Sequence, residues 1–338
     1  MRLVPAKEAL GYYRAKNTKE LDRWARRGQH GVRRERTASG GWLYAVDDDE
    51  LPTDATVIDG PRGGAVEALA QLAGRRTQRQ PAEPPRAERR SRDLKMACVI
   101  NDWHVPVHHL GFTDAVLDWM AEHQPDTLVI NGDFVDLEAA SSHGGNPSPP
   151  SLLDEMEQGN AMLDRIDEVL PVARKVFGMG NHETRLQRQI TQLMPTLYGA
   201  IEVADLLGLE GRGYEVRDYM QPVQLGGFTV VHGTWCPKGY ANKYLRDFGM
   251  PPGGGLGLGH THRPQVMTRS NRGGFGAVYG FGHGCDETKA AYLKKTPSDW
   301  VMGFGVVFYD DMPGGRWAAY SVLAPDGSFV WNGRVYGG

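Results

Sequence analysis

One pattern constrains this 338-residue sequence more than any other, an apolar run followed at once by Asp, His or Asn beside Gly. In the clearest copy, residues 127–130 (Thr-Leu-Val-Ile) lead into Asn131-Gly132-Asp133. Such a run is typical of a buried strand, so Asp133 is placed where a strand gives way to a loop. Four other segments repeat the pattern: Asn101-Asp102-Trp103-His104, Gly180-Asn181-His182-Glu183, His232-Gly233 and Gly259-His260-Thr261-His262. One Gly-Asp pair is ordinary turn chemistry, but five such strand ends in one chain predict a metal site.

Stretches with a helical pattern separate these strand ends. They cover residues 114–123, 152–170, 184–193 and 240–248, and the glycine- and aromatic-rich tail after Gly273 predicts further strands. This alternation predicts an α/β sandwich for residues 96–338. Because open α/β folds bind ligands at the carboxyl ends of their strands, we expect the five polar segments to converge at one edge.

Charge and composition divide the chain into three parts. Residues 1–95 carry 20 Lys and Arg against 14 Asp and Glu, whereas residues 96–338 carry 18 against 27. Residues 58–95 are rich in Gly, Pro, Arg, Gln and Glu; residues 65–73 could form one short helix, but residues 77–92 have too little apolar surface to order themselves. We predict a basic module at 1–57, a flexible linker at 58–95 and a larger module at 96–338. A basic module binds nucleic acid or presents a solvated face.

The basic module is predicted to contain two short helices and a hairpin. The first helix runs from Val4 to about Tyr13 and the second from Thr18 to about Arg27, while strands at 32–36 and 42–46 flank a glycine-bearing loop. These segments resemble the winged helix-turn-helix of the MerR and excisionase group. The resemblance implies that residues 1–57 bind DNA, with Lys16, Thr18, Lys19 and Arg23 in the major groove and Arg33, Arg34 and Arg36 on phosphates. The turn between the helices lacks the usual Leu-Gly-Val-Ser, so a module for protein contacts is the alternative.

Cysteine usage and hydropathy argue against several classes of protein. Cys98, Cys236 and Cys285 are scattered without a CxxC pair, which indicates neither a disulfide framework nor a thiolate zinc site. Two buried thiols and one near a loop are expected instead. No apolar run approaches the roughly 18 residues that a membrane helix needs, and the N-terminus has no signal-peptide core. We therefore expect a cytoplasmic protein without a membrane partner.

Taken together, the five polar segments resemble the signature of the calcineurin-like metallophosphoesterases. The matching motifs are Asp102-x-His104, Gly132-Asp133-x-x-Asp136, Gly180-Asn181-His182-Glu183, His232-Gly233 and Gly259-His260-x-His262. The run Asp102-Trp103-His104-Val105-Pro106 is similar to a branch found in bacteria and phages. The resemblance implies two mixed sheets flanked by helices, a phosphate-ester substrate and a bacterial host cell, with a phage-encoded protein as a further option.

The resemblance also implies two divalent metal ions. One would be held by Asp102, His104, Asp133 and His262, and the other by Asp133, Asn181, His232 and His260. Two such ions neutralise phosphoryl oxygens and lower the pKa of bound water from about 15.7 to roughly 7. Mixed nitrogen and oxygen ligands suit manganese, which we expect first, and also iron, zinc, cobalt or nickel.

The residues around these ligands have implied roles as well. His182 would be the general acid that protonates the leaving oxygen, with Asp102 as the carboxylate that orients it. Asp136 would hold a ligand histidine or cap a turn, and Glu183 would cap the following helix or support a ligand. The other nearby histidines are expected on the surface or in loops, namely His108, His109, His143 and His283.

The substrate class depends on features outside the ligand set. Serine/threonine protein phosphatases of this superfamily carry two phosphate-gripping arginines that are absent here, where Met179 and Leu137 stand instead. Arg185 and Arg263 would bind a substrate phosphate or form structural salt bridges. A DNA-binding module on a linker raises the local enzyme concentration near DNA, so a nuclease or nucleic-acid end phosphatase is the first hypothesis.

Two alternatives belong to other classes. One is a phosphatase of nucleotides, small molecules or phosphoproteins, in which the basic module is a regulator or docking piece. The other is a DNA-binding regulator without catalysis, against which the intact ligand set argues. The sequence lacks the coiled-coil heptads that would indicate a dimer, so it does not define an oligomeric state.

Overall fold

A computed structural model describes residues 2–5, 7, 9, 18–27, 32–36, 42–46, 94–142, 148–249, 253–271, 274–289 and 299–338. The chain divides into two compact units, Met1–Arg62 and Gly63–Gly338. Several predictions concern residues outside the described ranges: the end of the first helix, the glycine-bearing loop of the hairpin, the linker up to residue 93, the DNA contact Lys16 and the loop residue His143. Within the described ranges, no helix is both long and apolar enough to cross a membrane.

The smaller unit combines a helix with an antiparallel sheet. Its elements are β1 (Arg2–Pro5), α1 (Thr18–Arg27), β2 (Arg34–Arg36) and β3 (Trp42–Val46), with the strand order β1-β3-β2. The predicted second helix and hairpin are confirmed. The first helix is wrong at its start, because Val4 and Pro5 pair with Tyr44 and Leu43 as part of β1. Pairing with a strand distant in sequence overrides the local helical pattern.

Asp22 joins α1 to the sheet of the smaller unit. Its carboxylate accepts hydrogen bonds from Arg34 Nη1 at 2.6 Å and from the hydroxyl of Tyr44. The neighbouring Leu21 is fully buried. Arg34, predicted to contact DNA, is therefore held in an ion pair within the unit. The predicted contacts that lie exposed are Thr18, Lys19, Arg23, Arg33 and Arg36.

The larger unit is an α/β sandwich of two mixed sheets, which confirms the predicted fold class. The first sheet contains β4 (Lys95–Ile100), β5 (Thr127–Asn131), β6 (Arg174–Gly178), β7 (Tyr214–Arg217), β13 (Gly303–Tyr309) and β14 (Trp317–Leu323). Their order is β14-β13-β4-β5-β6-β7, with β4 to β7 parallel. The second contains β8 (Val223–Leu225), β9 (Phe228–Val231), β10 (Gly255–Leu258), β11 (Gln265–Asn271) and β12 (Gly274–Gly280). Their order is β11-β12-β10-β9-β8, with β9, β10 and β12 parallel.

Helices cover the outer faces of the sheets. They are α2 (Leu110–His123), α3 (Leu152–Val169), α4 (Thr184–Leu193), α5 (Val203–Leu206) and α6 (Tyr240–Asp247). Short 3-10 turns lie at Glu138–Ala140 and Pro195–Leu197, and a hairpin forms from β15 (Phe329–Trp331) and β16 (Arg334–Tyr336). The four predicted helices correspond to α2, α3, α4 and α6, and the strands predicted after Gly273 are present.

The alternation of side chains along β4 shows how the layers are packed. Ala97 and Val99 belong to the core between the two sheets, where they meet residues such as Phe228 of β9. Cys98 and Ile100 belong to the core beneath the helices. Because successive side chains of a strand point to opposite faces, a strand covered on both faces is apolar at every position. This explains the continuous apolar runs.

The predicted strand ends are confirmed by the structure. The strands β4, β5, β6, β9 and β10 end at Ile100, Asn131, Gly178, Val231 and Leu258. In each sheet the strands concerned are parallel, so their carboxyl ends lie at the same edge. Each of the five polar segments begins within two residues of one of these ends.

Glu155 of α3 is a buried carboxylate that binds backbone amides. It accepts hydrogen bonds from the N–H groups of Glu138 and Ala139 at 2.8 and 3.2 Å. Burial raises the pKa of Glu155 from its ordinary 4.5 to about 7, although the two backbone donors act in the opposite direction. The folded protein therefore keeps a proton on Glu155 at pH values where the unfolded chain has lost it.

The contribution of Glu155 to stability is expected to fall as the pH rises from about 4.5 to about 7. In this window the folded state binds more protons than the unfolded state, so the free energy of unfolding decreases with pH, by about 3 kcal/mol in total. Urea unfolding of the wild type and of Glu155→Gln at several pH values measures this effect. The difference between the two curves should change within the window and stay flat outside it, and parallel curves would contradict the expectation.

Candidate metal centre

The polar segments reach the site on strained backbone. Five of the predicted ligands have a positive φ although none is glycine: Asp102 (54°), His104 (52°), Asp133 (50°), His260 (63°) and His262 (58°). A non-glycine residue in this region costs about 1–3 kcal/mol and persists only where its surroundings fix it. Strain concentrated on these side chains indicates a functional site.

Contacts between the loops hold this backbone in place. The N–H of Asp102 donates to the carbonyl of Gly132 at 3.0 Å, and the N–H of His260 donates to the Asp102 carboxylate at 2.9 and 3.0 Å. Gly180 allows its loop to approach closely, since a Cβ at this position would lie 2.2 Å from Asp133 Oδ1. Loops from both sheets therefore meet at one place.

Glu183 joins two of these loops through its carboxylate. The side chain is buried and accepts hydrogen bonds from the backbone N–H groups of Asp133, Phe134, Val135 and Gly180 at 2.7–3.1 Å. Burial and the charge of Asp133 raise the pKa of Glu183, while the backbone donors lower it. Of its two predicted roles, the side chain supports the loop that carries Asp133, and it makes no capping bond to α4.

The first predicted ligand set, around Asp102, brings hydrogen-bond acceptors together. His262 Nε2 lies 3.2 Å from Asp102 Oδ1 and 3.1 Å from His104 Nε2. His104 Nδ1 lies 3.0 Å from Asp136 Oδ1; in the neutral ring with its proton on Nδ1, the Nε2 atom carries a lone pair. Burial lowers the pKa of His262 to about 3, which leaves its ring neutral. A carboxylate oxygen and two ring nitrogens then face one another, an arrangement that a cation stabilises.

The second predicted ligand set, around Asp133, has the same character. His232 Nε2 lies 3.3 Å from Asp133 Oδ2 and 3.2 Å from Asn181 Oδ1, while its Nδ1 donates to the carbonyl of Asn131 at 2.7 Å. A ring nitrogen of His260 belongs to the same group. Burial alone lowers the pKa of His232, but the Asp133 carboxylate outweighs it and raises the pKa to about 10. The negative field at this point attracts positive charge, either a proton or a metal ion.

Asp133 lies between the two sets. Its Oδ2 atom is 3.3 Å from His232 Nε2 and 3.8 Å from His182 Nε2, and His104 lies in the same group of donor atoms. Burial raises the pKa of Asp133, but the neighbouring histidines lower it well below its usual value. A charged carboxylate shared by two sets of nitrogen and oxygen donors fits a pair of divalent cations.

His182 lies beside this cluster and is fixed by Asp136. Its Nδ1 faces the carbonyl oxygen and Oδ1 of Asp136 at 2.8 and 3.0 Å, and its Nε2 accepts a hydrogen bond from Arg185 Nη2 at 2.7 Å. Burial raises the pKa of Asp136, but the two histidines that donate to it lower the pKa below its usual value. The carboxylate that contacts Nδ1 of His182 is that of Asp136, whereas the expected partner Asp102 lies against His262.

The two arginines near the ligands have different surroundings. Arg185 donates to His182 and, from Nη1, to the carbonyl of Asp136 at 2.8 Å, which places its guanidinium beside the cluster. Arg263 Nε lies 2.9 Å from Asp299 Oδ1. Of the two roles predicted for these arginines, Arg263 forms a salt bridge, whereas the phosphate contact of Arg185 stays a prediction.

Two of the additional histidines are less exposed than expected. His109 is a loop residue that caps α2, since its Nδ1 accepts the N–H of Phe112 at 3.1 Å. His108 and His283, in contrast, are buried. His283 joins His262 and Cys285 in a third group of buried donor atoms, which the sequence analysis missed. A signal was present, because His283 stands beside Gly284 shortly after β12, in the same pattern as the other polar segments.

The cysteines are distributed as predicted. Cys98 and Cys285 are buried, Cys236 is exposed, and none forms a disulfide. Burial raises the pKa of the Cys285 thiol well above its usual value, so its sulfur keeps a proton.

Comparison with known proteins identifies the family. The model of the calcineurin-like phosphoesterase family matches residues 97–283, more than half of the chain. The chain belongs to this family. A calcineurin-like phosphoesterase is a metal-dependent hydrolase of phosphate esters, and the ligand-rich edge of the sandwich lies within the matched residues. No protein with a curated description matches the sequence.

Solved structures of a vacuolar sorting protein are similar to this calcineurin-like phosphoesterase. Wild-type Vps29 with zinc from Entamoeba histolytica is 16% identical, with a TM-score of 0.36, over 70% of this chain and 96% of that chain. Vacuolar protein sorting 29 from Cryptosporidium parvum is 14% identical, with a TM-score of 0.34, over 72% and 95%. Vps29 from Chaetomium thermophilum is 12% identical, with a TM-score of 0.33, over 68% and 98%. With TM-scores this low, the likeness supports no functional statement about this chain.

Proposed function

We propose that this phosphoesterase hydrolyses phosphate esters of nucleic acid and that its smaller unit binds DNA. One observation carries the proposal. Two sets of nitrogen and oxygen ligand atoms share the carboxylate of Asp133, and His182, whose ring Asp136 orients, lies beside them. The exposed cations of the smaller unit favour a polyanionic substrate over a small molecule.

The proposed ligands follow from the two sets. Asp102, His104, Asp133 and His262 would hold one divalent cation, and Asp133, Asn181, His232 and His260 the other. When bound, two such cations neutralise charge on the phosphoryl oxygens and supply a water whose pKa falls to about 7. Carboxylate, amide and imidazole donors admit manganese, iron, zinc, cobalt or nickel.

His182 supplies the proton for the leaving oxygen. Because Asp136 fixes Nδ1, the Nε2 atom points into the site, 3.8 Å from Asp133 Oδ2. Arg185 donates to this Nε2 in the structure. A phosphoryl oxygen offers the guanidinium a charged acceptor instead, and charge-assisted hydrogen bonds are stronger than neutral ones. When Arg185 turns to the phosphate, Nε2 is free to carry the proton.

The proposed DNA contact depends on the exposed face of α1. Lys19 and Arg23 lie one turn apart and are exposed, while Leu21 between them is buried. Arg33 is exposed just before β2. Cations on a helix and on the adjoining strand suit contacts to two parts of a phosphate backbone. The resemblance to the MerR and excisionase group supports the same assignment.

Charge reversal on α1 is expected to weaken action on DNA and leave small substrates unaffected. Loss of two phosphate contacts in Lys19→Glu/Arg23→Glu should reduce the slope of log kcat/KM against log salt by about two. The measurement compares the full chain and this variant, each with Mn²⁺, on labelled single- and double-stranded DNA, a chromogenic phosphodiester and a chromogenic monoester. Arg269→Glu, an exposed charge reversal on β11 of the larger unit, is the matched control.

The possible outcomes separate the proposed function from its alternatives. The proposal is supported if the salt dependence of DNA cleavage weakens in the α1 variant but not in Arg269→Glu. Hydrolysis of the monoester alone, unchanged by either variant, would instead identify a phosphatase whose smaller unit docks another partner. Absence of hydrolysis with every divalent metal would exclude the proposed chemistry for this chain.

A further inference from the structure

We propose that Cys285 and His283 are positioning residues for His262, and that a chain of polar contacts from Cys285 through His283 to Glu287 fixes the ring of this ligand. The inference rests on the proposed function, in which His262 Nε2 binds a cation. It assigns a role to Cys285 and His283, the two members of the third group of buried donor atoms that the proposed ligand sets do not use.

The distances define the order of the chain. Cys285 Sγ lies 3.9 Å from His262 Nδ1 and 3.1 Å from His283 Nδ1. On the far side of the His283 ring, Nε2 lies 3.6 Å from Glu287 Oε1. The first three residues are buried, whereas the Glu287 side chain is 35% exposed. The chain therefore runs from the ligand set to the protein surface.

The protons along this chain can be placed so that each polar hydrogen faces a nitrogen, oxygen or sulfur acceptor. With a cation at His262 Nε2, the proton of the neutral ring would lie on Nδ1, which faces the sulfur of Cys285. The thiol proton then points to His283 Nδ1. This atom also accepts the backbone N–H of Cys285 at 3.2 Å, so the ring proton of His283 lies on Nε2, facing the Glu287 carboxylate. Each donor faces an acceptor.

Two other proposed ligand histidines show the same arrangement with oxygen in place of sulfur. His104 Nδ1 donates to Asp136 Oδ1, and His232 Nδ1 donates to the carbonyl of Asn131. Such partners fix the ring orientation and the tautomer of a metal ligand and raise its basicity. Since a thiol is a weaker acceptor than a carboxylate or a carbonyl, His262 depends on its neighbours for orientation.

Packing around the chain restrains it further. The rings of His262 and His283 stack at a centroid distance of 4.9 Å and an interplanar angle of 14°. Trp300 packs edge-on against both, at 3.9 and 5.5 Å. The backbone is tied to the first ligand loop, since the N–H of Gly284 donates to the carbonyl of Asp102 at 3.0 Å. Movement of Cys285 is thus coupled to the ligand set.

Metal binding by cysteine variants tests the inference without relying on activity. Mn²⁺ is titrated into the metal-free full chain, and free Mn²⁺ is measured by electron paramagnetic resonance. In Cys285→Ala, the Kd of one of two Mn²⁺ ions should rise by about 10- to 100-fold while the other is unchanged. Cys285→Ser, whose hydroxyl both accepts and donates, should recover most of this loss. Cys98→Ala, which removes a buried thiol in β4, is the matched control.

Several results would overturn the inference. Equal affinities in Cys285→Ala and Cys98→Ala, or a serine variant as weak as the alanine variant, would show that the thiol only fills space. A third equivalent of Zn²⁺ that is bound by the wild type and lost in Cys285→Ala would make the thiol a metal ligand instead. Failure of the wild type to bind two Mn²⁺ ions would remove the proposed function itself, and the inference with it.

Discussion

Replacement of His182 by alanine is expected to lower kcat by about 10²- to 10⁴-fold for a phosphate ester with an alkyl leaving group. The reason is the position of the ring, with Nδ1 held by Asp136 and Nε2 directed into the ligand cluster. An alkoxide leaves slowly without a proton, whereas a nitrophenolate needs little acid catalysis. The loss should therefore be small for a chromogenic nitrophenyl diester and large for DNA.

The measurement pairs single-turnover rates on the two substrates with a metal count. His123→Ala is the control, because this histidine lies at the end of α2 and stacks on Trp119. Bound Mn²⁺ should stay at two ions in His182→Ala. Loss of an ion would show that His182 is a ligand, in the group that it forms with His104 and Asp133. Equal losses on both substrates would rule out the role as an acid.

Replacement of Glu183 by alanine is expected to lower the free energy of unfolding by more than about 4 kcal/mol. The carboxylate accepts four backbone N–H groups, and each buried donor left without a partner costs about 1–3 kcal/mol. Glu183→Gln retains one acceptor oxygen and should lie between the wild type and alanine. Urea unfolding of the metal-free proteins gives the values.

The control for Glu183 is Glu157→Ala, an exposed position on α3 where a change within about 0.5 kcal/mol is expected. A loss below about 1 kcal/mol in Glu183→Ala would falsify the view that this carboxylate supports the metal loops. Because the same loops carry Asp133 and Gly180, the variant should also bind Mn²⁺ more weakly than the control.

Much of the fold and the location of the site follow from local sequence. From the apolar runs alone, the ends of five strands could be predicted: β4, β5, β6, β9 and β10. A strand that is buried on both faces needs apolar side chains along its whole length, so the end of the run marks the end of the strand. The polar residues after those ends could be picked out by type and order alone. The sequence also predicted helices α2, α3, α4 and α6, since helical periodicity is a local property.

Long-range contacts decided which partner each site residue takes. Asp102 and Asp136 both follow strand ends, and only the tertiary structure places Asp136 against His182 and Asp102 against His262. The bonds from Glu183 to the loop of Asp133 likewise join segments that are distant in sequence.

Long-range contacts also decided the structure at the start of the smaller unit and in the third group of donor atoms. Val4 joins a strand because β3 is available to pair with it, and Cys285 meets His262 because loops from different strands converge at one edge. The sequence by itself determined the strand ends and the kinds of donor that follow them. The tertiary structure alone decided which of those donors contact one another. The hydrogen bonds and the backbone strain at the site arise between segments that are distant in sequence, and a local sequence pattern does not show which distant segments meet.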